Sequence, residues 1–449
     1  MIRVLVAAPT SGSGKTIVTC ALLTALQRRG LNPCAFKCGC DYIDPMFHRS
    51  APGAESYNLD LFLSDAGRVR ELFARAAHGH GAAVCESAMG FYDGLGGLTD
   101  AASAWDTARV LGLPVLLVVR ARGAALSLAA VVRGMRDFRP DSHIIGVLLN
   151  DCPAAFSATL ERETGLPVLG CLPRMPEAEL PSRHLGLYTA AEIADLQKRF
   201  HILADTLEMN VDMERLLKLY GAAEPETYPL RECQASGVRI AVAHDEAFCF
   251  LYAETLQTLE AYGAEIVFFS PTRDKALPEN VGGLYLPGGY PELYAQRLSG
   301  NVPMRRAIAD AVRGGLPTVA ECGGFLYLCQ TLRDARGVSY PMAGVLPGDG
   351  FPCGKLVRFG YATMSADTDS LLFRAGESVP VHEFHHWDST HNGDALRLEK
   401  PVTGRRWRCG FVSDTLYAGF PHLYFYGRPE LAARFVGAAR RYRERTAKT

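Results

Sequence analysis

Short apolar runs separated by longer amphipathic stretches set the rhythm of this chain. Runs at Val4 to Ala8, Ala82 to Glu86, Val115 to Val119, Ile144 to Leu149 and Val168 to Leu172 read as strands, with helical patterns between them. Near-continuous apolar strands alternating with helices predict a parallel sheet covered on both faces, an α/β fold. Ala191 to Tyr220 reads as helix, and the polar, proline-containing stretch 221–236 reads as a linker. A second alternating series follows at Val238 to Ala243, Glu265 to Phe269, Gly283 to Leu286 and Thr318 to Ala320. Later segments, Val357 to Met364 and Arg406 to Val412, are richer in glycine and aromatics and read as antiparallel. A helix from Pro429 to Arg443, basic on its outer face, closes the chain. The pattern therefore divides into residues 1–220, a linker 221–236, and residues 237–449, with no internal repeat.

Composition narrows the class. A length of 449 residues suits two to three domains, and 48% hydrophobic with 21% charged residues is ordinary for a globular protein. A formal net charge of -1 gives no bulk attraction to nucleic acid or anionic membrane. Apolar runs such as Leu113 to Val119 fall far short of a bilayer span. The first residues run straight into a strand, without the features of a signal peptide, so a cytoplasmic location is expected. Thirteen cysteines in such a chain read as reduced thiols rather than a disulfide frame. Cys34, Cys38 and Cys40 lie close together but lack a second ligand pair at zinc spacing.

Ala8 to Thr16 (Ala-Pro-Thr-Ser-Gly-Ser-Gly-Lys-Thr) follows a strand and precedes a helical pattern from Ile17 to Arg29, the setting of a phosphate-binding loop. Gly12, Ser13 and Gly14 would turn backbone N–H groups onto phosphate oxygens, Lys15 would add a point charge, and Thr16 would offer a hydroxyl to Mg²⁺. Pro9 stands where such loops usually begin with glycine, and a loop one residue longer would begin at Ala8. Asp41, Asp44, Glu86 and Asp93 follow within about 80 residues, Glu86 at a strand's C-terminal end. Singly each Asp suits a turn or cap; together they suit a metal or substrate site.

Leu316 to Ala320 reads as a buried strand that stops at Glu321 and Cys322, followed by Gly323 and Gly324 and then a helical pattern at Phe325, Leu326, Leu328 and Leu332. A nucleophile on a sharp strand-to-helix turn between small residues is a nucleophile elbow, and a helix N-terminus there would favour the thiolate. A thiol nucleophile needs a base and an oxyanion hole. His422 is one candidate base; His382, His385 and His386 compete, and spacing alone does not choose among them. Gly288 and Gly289 could bring backbone N–H groups to an oxyanion, or form an ordinary proline–glycine turn.

Taken together these residues resemble the cobyrinic acid a,c-diamide synthases. The resemblance covers nearly the whole chain. It is carried by Ser11 to Thr16, Phe36 and Lys37, Asp41 to Pro45, Glu86 with Met89 to Gly94, and Arg183 to Leu187. In the second half it is carried by Asp245 to Phe248, Gly288 to Tyr294, Ala320 to Gly324, Arg358 to Tyr361 and His382 to His385. It implies a dethiobiotin synthetase-like ATP-binding amide-ligase domain at 1–220 and a class I glutamine amidotransferase domain at 237–449. It also implies ATP and Mg²⁺ as cofactors, with glutamine and a corrin acid as substrates. Cys322 and His422 would release ammonia from glutamine. Thr16, Asp41 and Glu86 would hold or orient Mg²⁺, and Asp44 and Asp93 would position substrate or metal. Cys40, Ser87 and Arg120 stand where the family usually has Pro, Gly and Asp. Tyr424 stands where many class I amidotransferases carry a Glu two residues after the histidine, which implies a Cys–His pair without that third member.

Three alternatives stay open at this level. The same chemistry on hydrogenobyrinic acid or nickel-sirohydrochlorin is one, and cobyric acid synthase is another. A nucleotide-switched binding protein would share the phosphate loop but would not need Cys322. A homodimer is left open.

Overall fold

The computed structural model describes residues 1–447 apart from 52, 122, 152–155, 177–179, 181, 184–185, 222–227 and 229–236, and of 182–183 and 186–187 only the backbone. The linker segment 221–236 thus lies almost wholly outside the described residues, and of the 183–187 motif only the backbone of Arg183, Gly186 and Leu187 is described. The chain forms two compact units, Met1–Leu230 and Arg231–Thr449.

The first unit is built on a seven-stranded sheet. In chain order its strands are β1 Ile2–Ala7, β2 Pro33–Cys38, β3 Ser56–Leu59, β4 Ala82–Glu86, β5 Val115–Arg120, β6 Ile144–Asn150 and β7 Val168–Leu172. Their spatial order is β3-β2-β4-β1-β5-β6-β7, and every pairing is parallel. The five strands legible as apolar runs are nearly all buried, as a sheet covered on both faces requires. β2 and β3 escape the apolar pattern because they carry Lys37, Ser56 and Asn58 inward, each at most 3% exposed. Lys37 and Ser56 belong to the site described below, and Asn58 holds the loop after β2, donating to the carbonyls of Gly39 at 2.9 Å and Asp41 at 2.7 Å. The helix expected over Ala191 to Tyr220 is two helices, Leu196–Asn210 and Met213–Leu219. Val211 is extended between them, and Asp212 caps the second by accepting from Arg215 N at 2.9 Å.

The second unit has a six-stranded sheet in the order Ala264–Phe269, Val238–Ala243, Val281–Leu286, Thr318–Glu321, Leu416–Gly419, Phe411–Val412. The first five are parallel and the last is antiparallel. The helix Pro429–Thr446 lays Leu431, Ala432, Phe435, Val436 and Ala439 on one face of this sheet. A separate antiparallel sheet joins Ser378–His385, Arg358–Ala366, Leu396–Glu399 and Arg406–Cys409. The run Arg406 to Val412 is therefore two strands in two sheets, broken at Gly410, whose φ is 86°. The helix after Cys322 is only Gly323–Leu328; Leu332 belongs to a short strand, Thr331–Arg333. All six of its residues are buried, so apolar periodicity could not mark its end.

Candidate active sites

In the first unit the topology reverses at β1, which pairs with β4 on one side and β5 on the other. Ligands in open α/β sheets bind outside the strand C-termini at such a point. The loop 8–14 leads from β1 into the helix α1, Lys15–Arg28, whose N-cap Gly14 has φ 91° and ψ 20°. No acidic residue stands in the first turn of α1, so its dipole is free to meet an anion. Asn150 closes the other side of this loop, its Nδ2 donating to the Ser13 carbonyl at 2.9 Å. Lys15 Nζ donates to the carbonyls of Met89 at 2.6 Å and Thr10 at 3.2 Å. Burial, with the neighbouring Lys37 charge adding to it, lowers Lys15 to about 8.

Behind Lys15 lies a buried polar cluster. Thr16 Oγ1 donates to Glu86 Oε1 at 2.7 Å, with Asp44 Oδ1 at 3.4 Å. Lys37 Nζ donates to Asp44 Oδ2 at 2.5 Å, Glu86 Oε1 at 3.0 Å and the Ser87 carbonyl at 3.1 Å. His48, in the helix Asp44–Ser50, bridges Glu86 Oε2 at 2.8 Å and Ser56 Oγ at 3.0 Å. One ammonium between two carboxylates divides their behaviour. Burial alone would raise Glu86, but Lys37 and the hydrogen bonds of His48 and Thr16 outweigh it and hold that carboxyl well below the usual range. Burial and the neighbouring Asp41 push Asp44 well above its usual range. Burial would lower Lys37, and the Asp44 and Glu86 charges more than reverse it.

The sequence-derived residues sit unequally in this site. Thr16 reaches both Glu86 and Asp44, and Lys37 joins the two carboxyl groups. Asp41 Oδ1 accepts from the backbone N–H of Ile43 at 2.7 Å and of Asp44 at 3.1 Å, so it shapes the turn that delivers Asp44. Asp93 Oδ2 accepts from Gly90 N at 2.9 Å and shapes the loop after β4. Lys37, His48 and Asn150 had no role assigned from sequence; a lysine within a run of buried strand residues was the available signal for the first. Among the described residues no three His, Cys, Asp or Glu side chains are spaced to hold a metal alone. The hard oxygens of Thr16, Asp44 and Glu86 around a bound ammonium nevertheless fit a cation that takes its remaining ligands from phosphate and water.

In the second unit Cys322 follows the strand Thr318–Glu321 with φ 48° and ψ -101°, a strained conformation for any side-chain-bearing residue. This is the elbow expected from the sequence. A side chain at Gly324 would lie 2.1 Å from the Leu286 carbonyl oxygen, so only glycine permits the turn. His422 follows the neighbouring strand Leu416–Gly419 and is tied to His382 by a backbone bridge, His422 N donating to His382 O at 2.8 Å. Gly288 shows how the parts converge. A Cβ there would lie 2.6 Å from Cε1 of His422 and 3.5 Å from Cβ of Cys322, so the two side chains flank one point over a bare glycine backbone. The Gly289 nitrogen lies 3.1 Å from where a side chain on Gly323 would begin.

Of the competing histidines, His382 is the backbone partner of His422, and His385 is held by other contacts. His385 stacks on Phe420 at 3.9 Å and has Nδ1 2.6 Å from the Trp387 carbonyl. Burial lowers His385 to about 4 and, with the His422 charge adding to it, His382 to about 3, so both rings are neutral near pH 7. Burial pushes the Cys322 thiol well up, and Glu292 adds to the effect, while the Gly323 N–H opposes it. The expected pull of a helix N-terminus toward the thiolate is thus outweighed by desolvation at Cys322, a residue 6% exposed ahead of a helix of only six residues.

Two family models match the chain, a CobQ/CobB/MinD/ParA nucleotide binding domain over residues 4–187 and a CobB/CobQ-like glutamine amidotransferase domain over 239–430. The cobyrinate a,c-diamide synthase of Caldanaerobacter subterraneus subsp. tengcongensis is 38% identical over 447 residues, covering 97% of this chain and 98% of that one. The chain belongs to the cobyrinate a,c-diamide synthase family. Its relatives also include the cobyrinate a,c-diamide synthase of Salmonella typhimurium, 38% identical over 96% of both chains. That of Thermoplasma volcanium is 36% identical over 98% of both. Ser87 and Arg120, two of the departures noted in the sequence, stand just past the C-terminal end of β4 and at the C-terminal end of β5. Ser87 contributes its backbone, donating to Val6 O at 2.9 Å and accepting from Lys37. Arg120 forms an ion pair with Asp151 at 3.0 Å, so its charge is answered beside Asn150. No helix among the described residues is long and apolar enough to cross a membrane.

Proposed function

We propose that the chain catalyses the ATP- and glutamine-dependent amidation of the a and c side-chain carboxylates of cobyrinic acid. The observation that carries this reading is the likeness, along almost the whole chain, to several proteins of that name. Residues 1–220 would form the amide-ligase domain, 237–449 the amidotransferase domain, and 221–236 the linker, in a cytoplasmic protein.

A carboxylate has too poor a leaving group to be amidated directly. Its oxygen would attack the γ-phosphorus of ATP, forming an acyl phosphate and releasing ADP. Gly12, Ser13 and Gly14 supply backbone donors to the phosphates, and Lys15 offsets the charge on the transferred group. Thr16 and Glu86, with Asp44 set in place by Asp41, would hold or orient Mg²⁺, which would supply neutralisation of phosphate charge when bound. Lys37 and His48 keep Glu86 ionised and aimed, and Asp44 and Asp93 would face the substrate or the ion.

In the second unit the Cys322 sulfur would attack the glutamine side-chain amide carbon while its proton passes to His422. The N–H groups about Gly288 and Gly289 would receive the oxyanion. His422 returns the proton to the departing ammonia, and water hydrolyses the thioester to glutamate. Ammonia then displaces phosphate from the acyl phosphate, and a second round amidates the other carboxylate. The test is incubation of the pure chain with ATP, Mg²⁺, glutamine and cobyrinic acid, with products weighed by mass spectrometry. A diamide is expected. Faster conversion of hydrogenobyrinic acid or nickel-sirohydrochlorin would reassign the substrate.

A further inference from the structure

Glu321 immediately precedes the nucleophile and is 1% exposed. Strand residues alternate faces, so Glu321 turns away from the preceding Ala320, toward the segment that carries His422. Its Oε2 lies 3.5 Å from Nδ1 of His422, where the histidine and glutamate side chains are 3% and 1% exposed. That distance is longer than a good N–H···O hydrogen bond, so the contact is electrostatic at rest. Both oxygens are also held in place. Oε1 accepts from the backbone N–H of Leu423 at 3.1 Å, and Oε2 accepts from the Tyr285 hydroxyl at 3.2 Å. One carboxylate thus grips the chain one residue past His422 and presents its other oxygen to the imidazole.

We propose that Glu321 is the positioning residue of His422, supplying from the position before the nucleophile the carboxylate that many class I amidotransferases supply two residues after the histidine. In this chain that later position is Tyr424, whose hydroxyl donates to the buried Glu254 Oε1 at 2.9 Å. The inference rests on the amidotransferase reading above. When His422 takes the thiol proton, a cation forms in a site almost closed to water. A fixed carboxylate beside Nδ1 stabilises that cation and keeps Nδ1 protonated, which leaves Nε2 as the atom that exchanges the proton. The other titratable groups around the pair are Tyr285 and Tyr417 beside Glu321, His382, Glu383 and His385 on the strand Ser378–His385, and Glu292 in the segment after Gly289. Glu321 is the carboxyl group placed against the ring of His422 itself.

The test is Glu321→Gln in the full chain, which keeps the shape and an oxygen for the Leu423 N–H while deleting the charge. Glutamine hydrolysis is followed as kcat/KM against pH. A negative charge favours the protonated form of every neighbour, so its loss moves both limbs of the profile to lower pH, by about one unit. The value of kcat/KM is expected to fall at least tenfold, chiefly through kcat. Glu321→Asp, which keeps the charge, should hold the limbs in place. An unchanged profile and rate in a Glu321→Gln variant that melts like the wild type would overturn the proposal. Should that variant fail to fold, Tyr285→Phe carries the test. Freeing Oε2 while keeping its charge should cost at least threefold in kcat with no shift of the limbs, and full activity overturns the proposal. A wild-type chain that hydrolyses no glutamine removes the amidotransferase reading, and this inference with it; an active wild type with an indifferent Glu321 removes this inference alone.

Discussion

Lys15 carries its charge where burial and the Lys37 charge both disfavour it, and its ammonium titrates near 8 in the free chain. ATP phosphates favour the protonated form, so the same group must titrate higher in the complex. Above pH 8 nucleotide binding is therefore expected to take up protons. Calorimetry of ATP binding at pH 8.5, repeated in buffers of different ionisation enthalpy, should show heats that vary with the buffer. Identical heats would place the proton elsewhere. Lys37 stands in the opposite situation, a buried cation answered by two carboxylates. Lys37→Met leaves Glu86 ionised and buried without its cation and should cost roughly 3–5 kcal/mol, read from denaturant midpoints. A loss below about 1 kcal/mol would mean that Glu86 simply takes up a proton.

The strand Ser378–His385 shows how one element can make a domain acid-sensitive. His385 titrates near 4 in the folded chain, against an ordinary value of 6.5, because burial disfavours its cation. The unfolded chain thus binds a proton first as pH falls. Stability contributed by the neutral ring is complete above 6.5 and is lost as pH drops from there toward 4. His382 acts in the same sense. His385→Phe keeps an aromatic ring against Phe420 and gives up the contact with the Trp387 carbonyl. It should lower the melting temperature at pH 7 yet shrink the further drop between pH 7 and pH 5. Equal drops in variant and wild type would show that the strand titrates with solvent.

For the molecule as a whole, the proposed chemistry divides between two units, each with its own sheet. Lys15→Ala is expected to lower ATP-dependent amidation roughly a hundredfold or more while glutamine hydrolysis continues. Cys322→Ala should abolish glutamine hydrolysis and glutamine-supported amidation, and added ammonium salts should restore product. Ammonia assays of both variants check this in one experiment. Parallel loss of both activities in Lys15→Ala would mean that the centres are not separable.

Alternating apolar runs were enough to read two α/β halves, and glycine-rich turns at strand ends were enough to mark Gly12 to Thr16 and Cys322. These features are local: burial on both faces dictates composition within a strand, and a sharp turn dictates small residues within a few positions. Composition did not reveal β2 and β3, whose inward polar side chains break the apolar pattern, nor the end of the short helix after Cys322, where every residue is buried. Pairing was equally out of reach. Lys37 meets Glu86 because β2 lies beside β4, Asn150 meets Ser13 across 137 positions, and Glu321 meets the backbone after His422 across 102. Strand order and parallel register bring such residues together, and neither is written in the periodicity of one segment. The kinds of chemistry were therefore legible along the chain, and the resemblance singled out His422, while the placing of its ring beside Cys322, and of the carboxylate that faces it, belonged to the folding of distant strands into one sheet.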